Sequence, residues 1–157
     1  LSDIYGGYFF LMVALGLGIG AFLTDRISQG KIRLGMVPIA GLGISMMMVI
    51  MRFASSPWWL ILIWMMILGF LGGIFLVPPQ AYILAASPEK DRGRNFATAN
   101  FFSFFCAFLA AVAIFVLNVL MGLTPASSFL VIAVLNTAIM LYILLRTDWV
   151  KLKKQKT

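Results

Sequence analysis

The sequence predicts an all-α membrane protein with five transmembrane helices. Composition is the first ground: 62% of the residues are hydrophobic and 11% charged, with a mean hydropathy of +1.04, whereas a soluble domain carries about 25% charged residues. A globule of 157 residues has too little interior to hide that apolar surface. The bilayer is therefore its solvent, and backbone groups must be satisfied within helices or a closed barrel. The second ground is that the apolar runs are about 18 to 27 residues long and lack period-2 alternation, which selects helices over barrel strands. The third is charge placement: the basic residues behind the formal net charge of +7 are confined to the ends of the runs. That pattern is topological and gives nucleic acid no basic face to bind.

The same composition bounds the chemistry. With no histidine, a single cysteine and no acidic cluster, the chain has nothing from which to build His-based acid–base catalysis, a metal centre or an internal disulfide. No enzymatic activity and no cofactor are expected. Cys106 lies in an apolar run and reads as a small packing residue. The chain opens on Leu1 and reads as a fragment or processed piece. Its first apolar run is not preceded by the basic region of a signal peptide.

The first span covers residues 6–23, about eighteen residues and roughly 27 Å, close to the thickness of a hydrocarbon core. Gly16 and Gly20 stand in it at GxxxG spacing, which lets two helix backbones approach closely. The following loop, Thr24 to Arg33, holds Arg26, Lys31 and Arg33 against Asp25 alone and reads as cytoplasmic. A second span covers 34–51, with Pro38 near its start; Arg52 and Ser55-Ser56-Pro57 close it on the far side. Trp58 and Trp59 then form an interfacial anchor for the third span, 58–84.

That third span carries Gly69 and Gly73, again at GxxxG spacing. Its run of about 27 residues is too long to cross straight without tilt or interruption, and Pro78 with Pro79 predicts a helix break, a local kink, near the inner interface. Ser87 to Arg94 forms a second basic loop, and the fourth span covers 95–121. The uncharged turn Gly122-Leu123-Thr124-Pro125 leads to a fifth span over 126–145, and residues 146–157 form a basic cytoplasmic tail suited to anionic headgroups. Every one of the twelve Lys and Arg residues except Arg52 falls in the two inner loops or the tail. The amino terminus of this piece is therefore expected outside and the carboxyl terminus in the cytoplasm.

Two of the loops carry more than charge. Gly20 to Lys31 reads GxxxxDRxxxGK, which resembles the signature between paired helices of major facilitator transporters. The resemblance implies that Asp25 faces a helix N-terminus in the other half of the molecule, with Arg26, Gly30 and Lys31 completing a gating loop to which Arg92, Gly93 and Arg94 belong. A carboxylate at a positive helix end is favourable by about 0.3 to 1 kcal/mol, weak enough to break and remake as the halves rock. The stretch from Gly72 to Asn100, GGIFLVPPQAYI followed by SPEKDRGRNFATAN, resembles the bacterial lysophospholipid transporter family. Some members of that family are fused to a 2-acylglycerophosphoethanolamine acyltransferase and an acyl-carrier-protein synthetase. The chain would then be a partial major-facilitator C-terminal bundle, helices eight to twelve, occupying all of 1–157 and lacking the N-terminal transporter helices.

The resemblance implies movement of a lysophospholipid across the bacterial cytoplasmic (inner) membrane for reacylation, with membrane lipids and a fused or associated acyltransferase as partners. Gln80, Tyr82, Asn100 and Ser103 are the candidates for the substrate path near the inner end, with Asn118 and Asn136 further along. Each has a structural alternative, because intramembrane amides often bond neighbouring helices. The sequence departs from the family at Pro79 and Gln80, where leucine and asparagine are common. A drug or metabolite exporter of the same superfamily, or a noncatalytic membrane anchor of a fused acyltransferase, are the competing expectations. Five spans cannot form two pseudo-symmetric halves, so this piece alone is not expected to transport.

Overall fold

The computed structural model of the chain describes residues 3–28, 33–53, 57–120, 122 and 124–146. These residues form five helices: α1 (Asp3–Ser28), α2 (Met36–Phe53), α3 (Trp58–Ala86), α4 (Arg92–Phe115) and α5 (Pro125–Arg146). All five are long and apolar enough to cross a membrane, and the described residues contain no strand. Gly30, Lys31 and the tail beyond Arg146 lie outside the described residues.

The helices extend further into the charged segments than the apolar runs do. α1 continues to Ser28, past the expected end at residue 23, so Asp25 and Arg26 occupy its last turn and not a loop. The buried Thr24 hydroxyl bonds back to Gly20 O at 2.7 Å, which keeps the polar side chain satisfied within the helix. α4 likewise begins at Arg92, which places Arg92, Gly93 and Arg94 in its first turn. A 3₁₀ turn, Glu89–Asp91, leads into it. Its carboxylates offset the two arginines, which the positive helix end disfavours.

The interruption expected at Pro78 and Pro79 does not end the helix. α3 is one helix from Trp58 to Ala86 and both prolines lie inside it. Each proline leaves a carbonyl one turn earlier, at Ile74 and Phe75, without its usual donor. Membrane helices tolerate such residues because neighbouring turns adjust locally. At 29 residues the helix is roughly 43 Å long, more than a hydrocarbon core of about 30 Å, so it must tilt or project beyond the core.

The two glycine pairs explain the principal contact of the bundle. α1 and α3 run parallel and touch backbone to backbone. A methyl group on Gly16 or Gly20 would overlap the carbonyl oxygens of Met66 and Phe70, and one on Gly69 would overlap that of Val13. Gly73 is equally tight, 2.5 Å from Leu17 O and 2.6 Å from Ala21 N at the position of an added Cβ. Gly18 and Gly72, in the same helices, face open space.

α2 lies antiparallel between α3 and α5. Gly43 opposes Leu71, and Gly41 opposes Met140 and Phe75. Asn136 on α5 donates to both Gly41 O and Ser45 Oγ on α2 at 2.8 Å. α4 is peripheral, and the phenylalanines Phe101, Phe102, Phe104, Phe105 and Phe108 are all exposed in the described structure. After Phe115 the helix widens into a π turn, Val116–Leu120, which the apolar pattern does not reveal. Gly122 then adopts φ 64°, a left-handed conformation that glycine enters without steric cost, and Pro125 begins α5.

Replacing Gly20 or Gly73 with valine is expected to lower unfolding stability by about 1–3 kcal/mol through overpacking. Gly18→Ala and Gly72→Ala are expected to be neutral or slightly stabilising. Thermal unfolding of the purified variants in detergent checks both; equal losses at all four positions would contradict the glycine interface.

Candidate functional site

The sequence candidates fall into three groups once the helices are in place. The first is charged and lies at one end of the bundle. Asp25 and Arg26 are exposed on the last turn of α1, and the Arg26 guanidinium sits 5.3 Å from the centroid of the Phe22 ring. Asp25 makes no ion pair among the described residues. Arg94 pairs with Asp91 at 3.2 Å and Arg92 approaches Glu89 at 4.0 Å. Both pairs are solvent-accessible, and such pairs contribute about 0–1 kcal/mol.

Ser87 closes this corner. Its hydroxyl donates to Ile83 O at 2.7 Å and accepts from Asn95 Nδ2 at 3.0 Å, while Arg92 Nε reaches Ser87 O at 3.4 Å. The α3–α4 corner is thus held by its own side chains, and no ion pair joins it to Asp25 among the described residues. Ser87 and Asn95 were not singled out from sequence. Their spacing across a Ser-Pro turn was the available signal, and serine in such a loop is too common to stand out.

The second group is brought together by the fold. Gln80 on α3 and Asn100 and Ser103 on α4 line one open cavity of about 150 Å³, with Phe75, Leu76, Pro79, Ile83, Phe96 and Ala99 as the other walls. Ser103 donates to Ala99 O at 2.9 Å, which leaves its oxygen free to accept a further bond. Gln80 and Asn100 are half-buried and make no hydrogen bond among the described residues. Uncommitted amides against apolar walls are costly, and each can offer two donors and an acceptor to a bound polar group. Pro79 contributes to this wall, so it lines the cavity without ending the helix.

The third group does not join the cavity. Tyr82 is 47% exposed and does not line it. Asn118, within the π turn, accepts a hydrogen bond from Ser128 on α5. That bond ties the end of α4 to the start of α5, as Asn136 ties α5 to α2.

Five apolar helices, charged only at their ends, define a multi-pass membrane protein. Comparison with protein families matches the Major Facilitator Superfamily over residues 2–157, and the chain belongs to that family of secondary transporters, whose members are generally not enzymes. Comparison with curated proteins and with solved structures found no match.

Asn136→Leu is expected to lower unfolding stability by about 0.6–1.7 kcal/mol, the range for interhelical hydrogen bonds in membrane proteins. Gln80→Leu removes no bond and relieves a half-buried, uncommitted amide, so it is expected to leave stability unchanged or raise it slightly. Chemical denaturation of both variants in mixed micelles measures the difference.

Proposed function

We propose that the chain is part of a secondary transporter that moves a lysophospholipid across the bacterial cytoplasmic membrane, for reacylation on the inner face. The superfamily supports transport, and the observation that favours this cargo is the cavity between α3 and α4. It places two uncommitted amides and a serine beside the apolar surface of Phe75, Leu76 and Phe96. The cavity, about 150 Å³ and open, takes only part of such a cargo: the polar headgroup of a single-chain phospholipid would meet the amides, and its acyl chain would run out along the apolar side chains. The amides bring no formal charge to compete with a zwitterionic headgroup.

In this reading Asp25 and Arg26 gate the inner end. The last turn of α1 holds them exposed and, among the described residues, unpaired with the α3–α4 corner, so they are available to a helix end elsewhere in the intact transporter. The amino terminus of this piece would lie outside and the carboxyl terminus in the cytoplasm, which puts the cavity on the side where an acyltransferase would meet the product. Lys31 and Gly30 would complete the gating loop.

Uptake of labelled lysophosphatidylethanolamine into proteoliposomes containing the intact transporter is the direct assay. Uptake no greater than into empty vesicles would sink the lipid reading and leave a drug or metabolite exporter as the alternative. Gln80→Leu combined with Asn100→Leu is expected to raise KM about thirtyfold, as loss of about 1 kcal/mol at each amide would do. Asp25→Asn is expected to slow turnover about two- to fivefold without affecting insertion, in line with the modest energy of a carboxylate at a helix end.

A further inference from the structure

A larger cavity opens at the other end of the bundle, and no role in the transport cycle has been given to it. It holds about 430 Å³ and is lined by Met48, Met51 and Arg52 of α2, Met65 and Leu68 of α3, and Phe129 of α5. That volume is within the range of about 300–1,000 Å³ typical of small-molecule sites. Apart from the arginine its walls are apolar, and three of the six side chains are methionine, flexible enough to adapt to a chain with many conformations.

Arg52 is the unusual member. The helices alternate in direction, so the end of α2 lies opposite the end that holds Arg26, Arg92, Arg94 and Arg146. Its side chain is exposed, it forms no ion pair among the described residues, and its guanidinium stands 5.7 Å from the Phe53 ring centroid. An arginine required only to end a helix at the interface could extend over any surface. Here it forms one wall of an apolar cavity, so a single ligand with an anionic head and an apolar tail would engage both features.

We propose that this cavity is a binding site for an anionic phospholipid of the surrounding bilayer, its phosphate on Arg52 and one acyl chain between α2, α3 and α5. Guanidinium matches the geometry of a phosphate and can bond it through two N–H groups. The bilayer supplies such lipids at high local concentration, and their acyl chains match the methionine-lined walls. A lipid seated there would brace the junction of α2, α3 and α5 beyond the Asn136 bonds to Gly41 and Ser45, toward the Arg52 end of α2. The site is separate from the α3–α4 cavity, which shares no lining residue with it, and it does not depend on the cargo.

Native mass spectrometry of the intact protein, released from nanodiscs containing phosphatidylglycerol and phosphatidylethanolamine, tests the proposal. The wild type is expected to retain one phosphatidylglycerol in preference to phosphatidylethanolamine. Arg52→Gln is expected to weaken that retention about fivefold, the value of one basic residue acting on an anionic lipid, and Arg52→Lys to weaken it less, since the charge stays and the paired N–H contact is lost. Met65→Trp, which fills the cavity and leaves the charge in place, is expected to lose the lipid. Inorganic phosphate at equal concentration should not displace it. Wild-type retention by Arg52→Gln, or displacement by inorganic phosphate, would overturn the proposal; the first shows that Arg52 does not hold the lipid and the second that the site binds a bare anion. Should Met65→Trp fail to fold, the surface-exposed Arg52→Gln still decides. Lysophospholipid uptake is measured separately, so loss of this lipid does not bear on the cargo.

Discussion

The bundle depends on the close approach of α1 and α3. In a bilayer, burying leucine against leucine gains little over leucine against lipid, so association rests on contact area between backbones and on hydrogen bonds. The four glycines at 16, 20, 69 and 73 provide that contact, since at each of them even a methyl group would strike the opposite main chain. The consequence is directional. Two parallel helices locked along this seam place both of their carboxyl-terminal ends, with Asp25 on one and Gln80 on the other, at the same side of the membrane.

The remaining helices combine apolar packing, as where Gly41 and Gly43 of α2 meet Phe75 and Leu71 of α3, with a few polar bonds. Asn136 reaches two acceptors on α2, and Asn118 takes one bond from Ser128. Ser87 and Asn95 fasten the corner between α3 and α4. Because these amides are already bonded, they are poorly suited to contact a changing substrate. Gln80 and Asn100 differ from them in that respect, and the cavity they share is where binding chemistry is available.

α4 lies at the periphery of this arrangement. Its aromatic side chains are exposed, with Phe101 and Phe105 stacked at 6.4 Å between ring centroids, and it is joined to the bundle chiefly at its two ends. A helix fixed at its ends and loosely packed along its middle can shift without disturbing the α1–α3 seam. One wall of the α3–α4 cavity is therefore less constrained than the other.

The sequence by itself determined that this stretch carries five membrane-spanning helices, and its GxxxG spacing marked Gly16, Gly20, Gly69 and Gly73 as able to make a close helix contact. Apolar length and the GxxxG spacing are local properties of the chain, and the bilayer forces every backbone group into a helix whatever the neighbours are. Which helices these glycines join was decided by the fold, which sets them against one another across α1 and α3 and leaves Gly18 and Gly72 facing open space. Helix ends were less legible: Asp25, Arg26 and the Arg92–Arg94 segment read as loop because polarity marks the membrane boundary, yet helical hydrogen bonding continues into water. The proline pair read as a break because proline removes a donor, and only the surrounding turns of α3 decided that the helix would carry it. Which amides are occupied and which are open was likewise a tertiary matter. Asn118, Asn136, Gln80 and Asn100 are chemically alike in sequence, and their separation into structural ties and candidate ligands depends on which residues the neighbouring helices bring within hydrogen-bond reach.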